Sequence, residues 1–259
     1  MRRSAIAFVL LCAVLCANEG DRNASASRFR YSIGAGVASI PYFETSPNSK
    51  VRALPYAEMS YGAFFLSPMK GIGADIRLAN VVISPAISFR SEREADSDKA
   101  YKGLGDVAAE ATYGVSAALI FQPFVLHARA FNGFDSSAAV YDFGVNYLHH
   151  FNKSWGVMTG VGAQYGSEKY NQTYYGITAK QSAESRNHYD EYAPKAGLTS
   201  AQGNIGLIYH TSSKSSVSLF VRSKVFVGEA EDSPIIKYGS DHSTSFGLLY
   251  MYSPYGKRF

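Results

Sequence analysis

The sequence predicts an all-β fold, a transmembrane antiparallel up-and-down β-barrel. Three observations carry this prediction. Apolar and polar residues alternate with period two from residue 29 to residue 252, the alternating segments run to about ten residues or more, and the connections between them alternate between short and long.

The first segment, 29–40, sets Phe29, Tyr31, Ile33, Ala35 and Val37 against Arg30, Ser32, Gly34 and Gly36. Segments 50–61 and 63–67 follow, the latter short. In 71–79, Ile72, Ala74, Ile76 and Leu78 oppose Gly73, Asp75 and Arg77. Segments 81–91, 106–121 and 123–133 lead to 138–151, where Tyr141, Phe143, Val145, Tyr147 and Phe151 face away from Asp142, Gly144, Asn146 and His150. In 154–166, Trp155, Val157, Val161, Ala163 and Tyr165 interleave with Gly156, Gly160, Gly162 and Gln164. Segments 198–211 and 215–228 repeat the pattern, and 242–252 closes it with Phe246, Leu248, Tyr250 and Tyr252 opposite Ser245 and Gly247. The layout has twelve strands; merging 63–67 with its neighbours would give ten.

Period two alone fits a soluble sandwich as well as a membrane barrel. Strands of this length exceed the usual soluble five or six residues and suit a tilted crossing of the hydrocarbon layer. The polar phase is rich in Gly, Ser, Asn and charges, as a wet lumen would be, and aromatics cluster towards the ends of the apolar phase, as interfacial girdles do. Connections at Asn80, 122–123, 152–153 and 212–214 are tight, whereas 42–49, 92–105, 167–197 and 229–241 are long. Short periplasmic turns, long outer loops and an even strand count place both ends of the barrel in the periplasm.

Composition agrees. The chain has 23 Gly, 19 Tyr and 16 Phe but only 18% charged residues, which is not a disordered composition. Residues 1–26 read as a secretory signal, with Arg2 and Arg3 before an apolar run and cleavage after Ala17 or Ala26, leaving 27–259 as a single barrel domain. Cys12 and Cys16 both fall in that signal, so a disulfide framework, a thiolate metal site and a cysteine nucleophile are excluded from the mature chain. The net charge of +4 is scattered, which argues against nucleic-acid binding.

No catalytic constellation stands out. His127 and His210 take the inward phase, and the His149/His150 pair near Ser154 sits where an interfacial polar residue is expected. The acidic stretches 188–191 and 229–232 lack calcium-loop spacing. No enzyme activity, cofactor or metal is therefore expected. The inward charges are the remaining candidates: Arg30, Arg52, Glu58, Asp75, Arg77, Arg90, Glu110, Arg129, Asp142, Arg222 and Lys224. They either fill a narrow lumen with salt-bridged ladders or line a pore for anionic solutes with their basic surplus.

Several segments resemble the MipA/OmpV family of Gram-negative outer membranes: 34–66, "LGDV" at 104–107, "YYGITAKQSAES" at 174–185, "YAPKAGL" at 192–198 and "GEAEDSPII" at 228–236. The resemblance implies an outer-membrane barrel without known catalysis, in one member a scaffold joining a lytic transglycosylase to a peptidoglycan synthase, in others an adhesin or general outer-membrane protein. Its partners would be outer-membrane lipids and the barrel assembly machinery. Gly247, Tyr250 and Tyr252 also resemble the C-terminal signal that this machinery reads, although "SPYGKRF" continues for seven residues beyond.

Overall fold

The computed structural model describes residues 29–255 apart from 44, 47 and 96–98. The signal and its cleavage sites lie outside the described residues, as do the last four residues of the chain.

Twelve antiparallel strands close into a barrel. They are β1 (Phe29–Pro41), β2 (Ser49–Tyr61), β3 (Phe64–Ser67), β4 in two pieces (Gly71–Ala74 and Ile76–Leu78), β5 (Val81–Arg90), β6 (Glu110–Phe121), β7 (Phe124–Gly133), β8 (Ala139–His150), β9 (Trp155–Gly166), β10 (Gly197–His210), β11 (Ser215–Phe226) and β12 (His242–Tyr252). Each pairs with its sequence neighbour, and β1 pairs with β12 from Ile33↔Tyr252 to Ser39↔Phe246 to close the ring. Pairing of β1 with β12 removes the free edges that these two strands would otherwise expose to lipid. Among the described residues no helix is long and apolar enough to cross a membrane.

The short 63–67 segment is a strand, Phe64–Ser67, so the count is twelve rather than ten. The 71–79 segment is broken at Asp75, opposite Ser84 and Pro85 of β5, where proline removes a ladder donor. The 106–121 segment is shorter than its pattern suggested and begins at Glu110. Residues 104–109 are taken up instead by a loop in which Arg93 bridges Val107 and the Asp106 carboxylate accepts from the Ala95 amide at 2.8 Å.

The alternation points outward as its aromatic phase implies. Ile33, Val37, Ile72, Phe143, Val161, Ile205, Phe246, Leu248 and Tyr250 are all exposed on the outer wall. Rings form bands at both ends: Phe121, Phe124 and Tyr147 with Trp155 and Tyr209 near the short turns, and Tyr113, Phe134, Tyr141 and Tyr165 near the long loops. This is the girdle arrangement of an interfacial aromatic belt.

The inner face is more apolar than the Gly, Ser, Asn and charges of the polar phase suggest. Ala38, Ile40, Leu54, Met158, Ile208 and Phe220 form one buried apolar cluster across the bore, and Tyr56, Leu249 and Met251 form another. Phe220 fits because Gly247 stands beside it: a Cβ at 247 would come within 2.7 Å of the ring. Part of the lumen is therefore packed like a protein core, and beside it charged, polar and apolar side chains of β4 to β11 line a cavity.

Candidate functional site

The polar cavity has a volume of about 260 Å³. Its basic groups are Lys70, Arg77, Arg129 and Arg222, its carboxylate is Asp75, and His127, Asn146, Gln202 and Asn204 supply further donors. Period two delivers these groups inward from strands far apart in sequence. Asp75 is shared between Lys70 and Arg77, each at 3.3 Å, and accepts from the Ser84 hydroxyl at 2.6 Å. Arg129 stacks on the Phe131 ring at 5.2 Å, and Arg222 bonds to Gln202. The amide of Asn146 lies 3.1 Å from His127 Nδ1.

All eleven charges singled out from the sequence take the inward phase of their strands, and the fold divides them into groups. Asp75, Arg77, Arg129 and Arg222 surround the cavity. Arg30, Arg52 and Glu58 lie on β1 and β2, with Glu58 accepting from the Tyr56 hydroxyl at 2.8 Å. Asp142 accepts from Gln164 at 3.1 Å, and Lys224 is buried on β11. Arg90 and Glu110 pair at 2.8 Å at the loop end of the barrel, where they hold up a lid. Ion pairs join Lys70, Asp75 and Arg77 around one carboxylate and Arg90 with Glu110 at the loop end.

The lid is assembled from four long loops. Helix α1 (Glu168–Tyr175) is capped by Ser167, whose hydroxyl accepts from the Tyr170 amide, and α2 (Ala179–Glu184) starts with a capping box between Thr178 and Gln181. Helix α3 (Pro234–Tyr238) has Ser233 at its N-cap and Pro234 in its first turn. Two apolar clusters lock these pieces together: Tyr101, Leu104, Ile177, Tyr189 and Ile235 in one, Tyr170, Tyr175, Phe226 and Ile236 in the other. The Ser233 hydroxyl donates to the Tyr175 carbonyl at 2.7 Å, the Gln181 side chain to the Leu104 carbonyl at 2.6 Å, and the Tyr192 hydroxyl to the Glu229 carbonyl at 2.8 Å. Burial, with Glu229 and Asp232 close by, pushes the Tyr192 phenol up to about 12.

Two arginines tie the lid to the wall. Arg90 donates to the Ala138 carbonyl at 3.1 Å and lies under the rings of Tyr170 and Tyr174. Arg93, only 6% exposed, donates to the Tyr174 carbonyl and stacks on Tyr101 at 4.8 Å. Burial drives its guanidinium below the ordinary arginine range. Arg93 has no sequence signal of its own, because it lies past the end of the alternation in a loop.

The other sequence candidates remain apart. His149 points outward between Tyr147 and Phe151, and the Ser154 amide donates to Asn152 Oδ1 at 2.8 Å. His150 instead stacks near His210 inside the bore. Among the described residues no group of three or more His, Cys, Asp or Glu side chains could hold a metal ion. Gly247, Tyr250 and Tyr252 lie on β12 at the closing seam. The strand ends at Tyr252, the Ser253 amide bonds to the Lys214 carbonyl, and Tyr255 turns back to meet Tyr31 edge-on.

The sequence segments that build this lid and wall also match a known family: the model of MltA-interacting protein MipA aligns with residues 33–254. The chain belongs to the MipA family. It is an outer-membrane barrel. Of the segments that carry the resemblance, 34–66 lies largely in the wall, while 104–107, 174–185, 192–198 and 228–236 meet in the lid. No curated protein matches the chain. Solved structures similar to it include the COG4313 outer membrane channel from Pseudomonas putida F1 (10% identity, 92% of this chain and 99% of that one, TM-score 0.46). Pseudomonas putida OprB (8%, 88% and 94%, 0.45) and OmpT of Vibrio cholerae (6%, 89% and 99%, 0.39) are also similar. Each is too distant for its activity to transfer to this chain.

Proposed function

We propose that the protein is a non-enzymatic outer-membrane barrel that takes small anionic solutes into its lidded lumen. The observation that supports this reading is the cavity of about 260 Å³ with four basic side chains and one carboxylate on its walls. In a low-dielectric enclosure such a surplus attracts anions strongly and repels cations. The packed part of the lumen and the lid restrict the bore, so any conductance is expected to be small. Planar-bilayer recording tests this. A low anion-selective current is expected, and replacing Arg129 and Arg222 with Glu is expected to reverse the selectivity. Absence of current, or current indifferent to both replacements, would remove the solute reading.

A second reading is favoured by the family's description, an interacting protein of MltA. In it the barrel is a scaffold for murein-hydrolysing and murein-synthesising enzymes. Among the described residues such enzymes would meet the short turns at 62–63, 79–80, 122–123, 151–154 and 211–214 and residues 253–255. Affinity capture from solubilised membranes separates the two readings. Enrichment of a lytic transglycosylase or a peptidoglycan synthase over an unrelated barrel supports the scaffold, and equal recovery argues against it.

A further inference from the structure

The wall of the barrel is incomplete at one place. Strand β2 pairs with β1 along its whole length, but with β3 only at Met59↔Leu66, Ser60↔Phe65 and Tyr61↔Phe64. From Ser49 to Glu58 its other edge pairs with no strand among the described residues. Across the gap, β5 pairs with β4 as far as Ile87, and Ser88, Phe89 and Arg90 pair with β6 alone. The cause is the short β3–β4 hairpin, whose turn at 68–70 stops partway up the wall. The result is a notch about two strands wide, open towards the lid side of the bilayer. Pro55 lies on its β2 edge, where a residue without an N–H leaves one donor fewer unsatisfied. An unpaired strand edge facing hydrocarbon is costly, so the notch needs a polar occupant or water from the lumen.

What surrounds the notch has an order. Outside, an apolar groove of about 580 Å³ runs up to it, with Ile72, Pro85, Ile87, Tyr113, Val115 and Tyr141 on its walls. On the lumen side of the sill, Phe65, Ala86 and Phe131 form an apolar patch with Val140 against it. Deeper in are the basic groups, and two of them rest on those same rings: Lys70 lies 5.1 Å from the centre of Phe65, and Arg129 5.2 Å from that of Phe131. Met69 and Lys70 of the turn belong at once to the sill and to the polar cavity. From membrane to lumen the surface therefore passes from a groove of aliphatic and tyrosine side chains, over the Phe65 and Phe131 rings, to cationic groups.

Resting on the anion-binding reading above, we infer that the cavity is loaded sideways from the bilayer, and that its ligand is an anionic phospholipid of the surrounding membrane. The headgroup phosphate would enter past Met69 to Lys70, Arg129 and Arg222, and the acyl chains would stay in the outer groove. The cavity has the size of a glycerophosphate head and not of a whole lipid, which is why the chains remain outside.

The test places a tryptophan at the sill, as Phe65→Trp or separately Met69→Trp, in a Trp155→Phe background that removes the single native tryptophan. The protein is reconstituted in phosphatidylcholine containing a small fraction of phosphatidylglycerol with brominated chains. Phosphatidylglycerol is expected to quench the sill tryptophan at lower mole fraction than brominated phosphatidylcholine. Arg129→Gln and Arg222→Gln are each expected to weaken this preference by about tenfold, the loss of one charge-assisted hydrogen bond. Folding of each variant is checked by heat-dependent gel mobility, and the second reporter position covers failure of the first. Equal quenching by the two lipids, or a preference unchanged by both arginine variants, overturns the inference. A glycerol phosphate titration then tells which idea has failed. Arginine-dependent binding of that soluble anion, without any lipid preference, leaves the solute reading standing and removes only lateral loading. Absence of arginine-dependent binding for either probe removes both.

Discussion

The barrel wall and the lid are held together in opposite ways. The wall consists of strands such as the twelve-residue β9 and the fourteen-residue β10, each bonded to neighbours a turn away in sequence. The lid has helices of eight, six and five residues, joined by side chains that reach across long sequence separations, as Gln181 does to Leu104 and Ser233 to Tyr175. Backbone ladders make the wall cooperative and insensitive to most single side chains, whereas the lid depends on a few buried rings and arginines. The two should therefore fail separately.

The largest effect is expected where the wall closes. Gly36 lies on β1 against the Leu248 carbonyl of β12, and a Cβ there would run into that backbone oxygen. Gly36→Val should exceed about 4 kcal/mol and abolish assembly, measured as loss of the heat-modifiable band; a normally assembled variant would mean that the seam is looser than the register implies. Next comes the packed part of the lumen. Ile208, 2% exposed, should cost about 2–5 kcal/mol when cut to Ala, whereas Ile72→Ala on the lipid face, 64% exposed, should cost well under half as much in micellar urea unfolding.

A smaller and differently located effect is expected at the junction. Arg90→Ala leaves Glu110 with only the Ser136 hydroxyl and amide as partners and removes the support under Tyr170 and Tyr174. We expect about 2 kcal/mol of local destabilisation, read as protease cleavage within 167–196 while the barrel band stays intact. Simultaneous loss of both would show that lid and wall are one cooperative unit. By contrast, the exposed Lys180–Glu184 pair at 3.9 Å should contribute no more than about 0.5 kcal/mol.

The smallest effect is a pH dependence confined to the lid. The Tyr192 phenol is raised from 10 to about 12 in the folded state, so the folded form holds this proton more tightly than the unfolded one. The contribution is fully present below pH 10 and is lost as pH rises towards 12. Protease sensitivity of the lid should increase over that window, and Tyr192→Phe, which cannot ionise, should abolish the dependence.

Much of this molecule follows directly from its residues taken in order. Alternation is a local property, because successive side chains of a strand point to opposite faces whatever the strand pairs with. The wall, its outward aromatic bands, the inward phase of charges such as Arg129 and Arg222, and the long loops at one end were all legible for that reason. The same logic misjudged the start of β6, where Asp106 and Val107 are drawn into contacts with Ala95 and Arg93 that no period reports.

The sequence by itself determined which residues face lipid and which face inward. Only the tertiary structure decided what the inward residues meet. Whether an inward Leu54 or Phe220 packs into a core or stands beside water depends on the register and curvature that bring distant strands across the bore. Whether four loops form a lid depends on long-range packing of Tyr101, Ile177 and Ile235. Whether the wall is complete depends on how far the β3–β4 hairpin climbs relative to β2 and β5. These are relations between segments, and a one-dimensional pattern sets the phase of each strand without setting the height at which its neighbours stop.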